Sequence, residues 1–140
     1  MNKEQVIIKL FLRFAIAAGF LSAVGDRFGL WHYRLAWGNW NNFEKYVSVL
    51  NPWAPQLLIP VLSLLSTVAE ILFALCLLIG FKTSLFARLS GLLLLIFALS
   101  MTFTTGIKTA FDASVFTASA GAFSLGLIQE KWLEIDSLIM

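Results

Sequence analysis

Glu70 is the residue in this 140-residue sequence whose chemistry most needs explaining, because no other charge lies between Lys45 and Lys82. An ionised side chain at the centre of a lipid-embedded helix costs roughly 2.5–3.5 kcal/mol on insertion scales. Two arginines stand in other apolar stretches at comparable depth. Counted from one membrane edge by helix rise, Glu70 lies roughly 15 Å in, Arg13 roughly 10 Å and Arg88 roughly 6 Å. A guanidinium on a long stem covers such offsets. The spacing therefore predicts that Glu70 pairs with Arg13, with Arg88 as the alternative partner. Such a cluster either fixes helix register as a buried ion pair, or binds an anionic or polar ligand, or relays protons.

A second polar set falls at the opposite edge. Asp26 and Arg27 end the first apolar stretch, and Ser100, Thr104 and Lys108 share one helix face at i, i+4, i+8 with Thr105 alongside. Asp112 opens the fourth apolar stretch, where a carboxylate suits the positive helix end. His32, Arg34, Asn41 and Asn42 come from a connecting loop. Together they read as an outer polar mouth or as an ordinary wetted membrane edge. Cys76 is the single cysteine and His32 the single histidine. One chain therefore has no internal disulfide, no dithiol redox pair, no bis-histidine haem and no evident metal site.

These residues need helices to hold them. Hydrophobic residues make up 59% of the chain and charged ones 13%, about half the usual charged share. The net charge is only +2, from scattered basic residues, which does not point to nucleic acid. Four stretches approach the roughly 20 apolar residues that a membrane-spanning helix needs: about 6–28, 57–80, 84–106 and 110–129. The predicted fold is a single all-α membrane domain over 1–140, a four-transmembrane-helix antiparallel bundle in the lipid bilayer. The first stretch is long enough to span and carries Lys9 and Arg13 early, so it reads as a retained span rather than a cleaved leader. Ala15, Gly19 and Ser22 or Ala23, with Ser114, Thr117, Gly121 and Ser124, form small-residue faces that predict close packing of the first and fourth spans.

Spans two, three and four are joined by very short turns. Spans one and two are joined by Gly29 to Gln56, which holds four of the five tryptophans and both tyrosines. Phe43, Tyr46, Val47 and Leu50 recur at i, i+3, i+4, i+7 and predict a short interfacial helix over 42–50. Asn41 and Glu44 resemble its capping box, and Asn51-Pro52 stops it. Lys and Arg number six on the N-terminal side against four on the other, which predicts both termini in the cytoplasm.

The run Phe11-Leu12-Arg13-Phe14 leading to Gly19-Phe20 and Gly25-Asp26-Arg27-Phe28 resembles the first span of the DoxX family. So do Ala69-Glu70-Ile71-Leu72 and Leu77 to Thr83, and a subgroup has motifs like Ala36-Trp37-Gly38-Asn39-Trp40 and Ser114 to Gly121. The likeness covers nearly the whole chain. It implies a four-helix protein of the bacterial cytoplasmic (inner) membrane, named after a subunit of a thiosulfate:quinone oxidoreductase. The expected function is an accessory or quinone- or lipid-interacting subunit linked to a membrane oxidoreductase, with quinone as the possible cofactor, a redox protein partner and possible homo-oligomers. The alternatives are a stand-alone lipid- or quinone-modifying enzyme using Glu70 as proton donor or acceptor, and a small oligomeric transporter.

Overall fold

Asn2 starts the first helix: its side chain accepts hydrogen bonds from the Glu4 and Gln5 amides, and α1 then runs Lys3–Arg27. The computed structural model describes residues 2–139. After a loop come α2 (Trp40–Leu50), a short 3₁₀ turn (Gln56–Leu58) and α3 (Ile59–Ile79). The chain continues through α4 (Thr83–Thr104), α5 (Ile107–Asp112), α6 (Val115–Leu125) and α7 (Asp136–Ile139). Three helical segments, Lys3–Arg27, Gln56–Ile79 and Thr83–Thr104, are long and apolar enough to cross a membrane. Their outward faces carry exposed Phe11, Phe14, Leu64, Leu72, Leu85 and Leu92. The architecture is that of an all-α membrane protein.

The fourth apolar stretch departs from expectation. It is two short helices, α5 with 6 residues and α6 with 11, broken at Ala113-Ser114, where Ser114 adopts a left-handed φ of 56°. α6 packs chiefly against α4, with Ser119 Oγ donating to the Gly91 carbonyl at 2.7 Å, and touches α1 near Leu12 and Gly121.

α2 forms over the predicted stretch, and its buried residues Phe43, Val47 and Leu50 turn toward the bundle. Its cap is Asn39, not Asn41: Asn39 is extended and its side-chain oxygen accepts from the Asn42 amide at 2.9 Å.

The turn between α3 and α4 is fixed by Gly80, left-handed at φ 73°, and by the Phe81 amide donating back to the Cys76 carbonyl at 2.9 Å. Only glycine fits, since a Cβ there would stand 2.6 Å from the Glu134 backbone. Glu134 belongs to a C-terminal segment that returns to the start of α1. Its neighbours Ile135 and Asp136 donate backbone hydrogen bonds to the Ile79 and Gly80 carbonyls, and the Asp136 carboxylate accepts from the Lys82 and Thr83 amides at the start of α4. Lys9 reaches this segment through Glu134 at 2.7 Å. The two chain ends thus lie at the same end of the bundle.

Candidate functional site

Arg27, at the last turn of α1, turns its side chain into the bundle and forms an ion pair with Glu70 of α3. Both residues are 3% exposed. Arg27 Nη1 also donates to Thr67 Oγ1 at 2.8 Å, and that hydroxyl donates onward to the Ser63 carbonyl one turn away. The guanidinium lies over the Phe43 ring, 3.8 Å from its centroid, and 5.3 Å from that of Trp37. Arg27 Nε has no hydrogen-bond partner.

Asp26, next to it, holds the roof. Its carboxylate accepts from the backbone amides of Ala36, Trp37 and Gly38 at 2.7, 3.3 and 2.8 Å. Consecutive residues of one helix end thus do two jobs: Asp26 pins the aromatic loop and Arg27 joins that loop's rings to the acid within the bundle. Trp37 packs edge-on to Phe43 at 5.0 Å and tilted against Tyr46 at 5.6 Å.

Beneath this roof lies a cavity of about 860 Å³. α1 contributes Ala15, Gly19 and Ala23; α3 contributes Leu62, Ser66 and Ala69; α4 and α6 contribute Leu93, Phe97, Thr117 and Ala118. Among the described residues, Arg27 and Glu70 are the only charged side chains in its wall. Tyr46 and Asn51 add polar groups near the roof. Burial pushes the Tyr46 phenol above its ordinary value. A largely apolar space of this size with a few convergent polar groups suits a lipophilic small molecule.

The pairing predicted from sequence is corrected. Arg13 does not meet Glu70. It donates from Nε to the Leu77 carbonyl at 2.8 Å, from Nη2 to Leu78 at 2.9 Å and from Nη1 to Leu133 at 3.0 Å, with Glu134 at 3.9 Å. It caps the end of α3, about 10 Å along the helix from Glu70, and ties the returning C-terminal segment to it. Arg88 is exposed and leans on Gly126, away from Glu70.

The outer polar mouth also does not assemble as one cluster. Asp26 and Arg27 are buried in separate roles, as above. Thr104 donates its hydroxyl to the Ser100 carbonyl of its own helix, and α4 ends there, so Lys108 falls on α5 instead of the same face. Asp112 closes α5 instead of opening a span, and pairs with Lys108 in solvent, 64% and 86% exposed.

Glu134 and Asp136 are the residues that sequence reasoning passed over. The available signal was two acids spaced i, i+2 beyond the last apolar stretch, on the side where only basic residues had been counted. No family model matches the chain, and it matches none of the curated proteins or solved structures with which it was compared.

Proposed function

We propose that this chain is a DoxX-type, multi-pass protein of the bacterial inner membrane. In this reading it holds a quinone or related isoprenoid lipid inside its bundle and serves as an accessory subunit of a membrane oxidoreductase. The observation that carries the reading is the cavity: about 860 Å³, walled by aliphatic and aromatic groups, with one neutralised Arg27–Glu70 pair at its polar end. A ring-headed lipid suits such a space, its head among Trp37, Phe43 and Tyr46 and its tail along the small residues of α1 and α6.

What supports a fourth crossing is parity. Three crossings would leave the chain ends on opposite sides, whereas Lys9 and Glu134 bring them together. α2 then lies at the interface on the side away from the termini, which the basic-residue count puts in the cytoplasm.

Extraction of the protein from bacterial membranes in native lipid discs, followed by mass spectrometry, tests the reading. About one quinone or isoprenoid per chain is expected. Ala69→Phe, which fills the cavity beside Glu70, is expected to lose at least nine-tenths of it while keeping its helical circular dichroism. A native protein carrying no more of these lipids than an unrelated membrane protein from the same cells would overturn the proposal.

A further inference from the structure

α1 and α6 close on each other over only part of their length. They meet where a Cβ on Gly121 would stand 3.6 Å from a Leu12 methyl. Seven residues further along α1, about 10 Å toward the aromatic loop, a Cβ on Gly19 would meet nothing within 4 Å. The break in the fourth apolar stretch explains the gap. α6 begins only at Val115, and the preceding α5 packs on α4, where Ala110 joins Met101 and Leu50. The upper half of α1 is left without a neighbour on that side, and Gly19 and Ala23 there line the cavity directly.

A second observation says what the gap admits. Arg27 lines the cavity and is 3% exposed. Its charge is already balanced by Glu70. A further charge brought into this wall would have no counterion: an anion would compete with Glu70 for Arg27, and a cation would face Arg27. An uncharged head leaves the ion pair intact.

We propose that the gap beside Gly19, between α1 and α6, is a lateral portal from the bilayer. It admits a single-chain lipid whose head is uncharged and comes to rest beside the Arg27–Glu70 pair. This rests on the reading of the cavity as a lipid site and adds the route and the charge of the ligand's head. The tail follows the head past Ala15, Gly19 and Thr117, where short side chains leave room for it.

The test uses the full chain in lipid nanodiscs and follows quenching of tryptophan fluorescence by a decyl-tailed benzoquinone, Trp37 being in the cavity wall. Dodecanol, dodecylsulfonate and dodecylammonium, at equal low mole fraction, compete with it. Dodecanol is expected to displace the probe at least tenfold more effectively than either charged analogue. Gly19→Phe is expected to slow both association and dissociation of the probe at least tenfold, while Gly19→Ala keeps native rates. Charged and uncharged competitors of equal strength would overturn the proposal and leave the lipid site standing. So would native rates in Gly19→Phe, or complete loss of binding in a folded Gly19→Phe protein, because that side chain would then be filling the site. If the native protein binds neither the quinone nor dodecanol, the lipid site itself fails, and the portal with it.

Discussion

Glu70→Leu is expected to destabilise the bundle by about 3–5 kcal/mol, the usual cost of leaving one member of a buried ion pair without the other. Arg27 is 3% exposed, and without Glu70 only the Thr67 hydroxyl and the Phe43 and Trp37 rings face its charge. Arg27→Met is expected to cost a similar amount for the mirrored reason. Glu70→Gln is expected to cost less, about 1–3 kcal/mol, because an amide oxygen still accepts from the guanidinium. The double variant Glu70→Leu with Arg27→Met is expected to recover most of the loss, since an apolar pair of similar volume carries no stranded charge. Unfolding of the four proteins in one detergent measures this cycle. Strictly additive losses would mean that the two side chains are not partners.

Arg13→Met is expected to cost about 3–5 kcal/mol as well, by leaving the Leu77, Leu78 and Leu133 carbonyls without their donor; Glu134 keeps Lys9. Arg13→Lys is expected to rescue little, because one ammonium cannot reproduce a planar fork that serves four carbonyls. The distinguishing readout is local. The Ile135 and Asp136 amides, bonded to the Ile79 and Gly80 carbonyls, are expected to exchange much faster in Arg13→Met and at native rates in Glu70→Gln. Arg13 and Glu70 belong to separate networks, so their losses are expected to add within about 0.5 kcal/mol. Non-additivity would restore the pairing that helix rise alone suggested.

That mistaken pairing shows what the residues made legible. Long apolar runs bounded by short turns set α1, α3 and α4 to within a few residues, because lipid-facing helices leave little choice of length. The spacing of Phe43, Tyr46, Val47 and Leu50 was enough for α2. Its start was not, since Asn39, Asn41 and Asn42 can all cap, and the choice depends on which one is extended. The break at Ser114 carries no glycine or proline to announce it.

Glu70 was legible as a buried acid, but its partner was not. Helix rise places Cα atoms, whereas an arginine acts several ångströms from its own. Arg27 looked like an edge residue and reaches inward. Arg13 was assigned to Glu70 because the carbonyls that hold it come partly from residues 132–133, a segment without periodicity. The same segment brings in Glu134 and Asp136, whose roles depend on a chain reversal that no local pattern encodes.

The central claim is that a lipid lies inside the bundle with its head at the Arg27–Glu70 pair. The most direct test is photolabelling in nanodiscs with an uncharged twelve-carbon alcohol bearing a diazirine beside its hydroxyl, followed by peptide mapping of the adducts. Adducts are expected on Glu70 and on residues of the Trp37–Leu50 segment, suppressed by excess unlabelled dodecanol and lost in Ala69→Phe. Adducts confined to the outward-facing Phe11, Leu64, Leu72 and Leu85, insensitive to competitor and unchanged in Ala69→Phe, would contradict it.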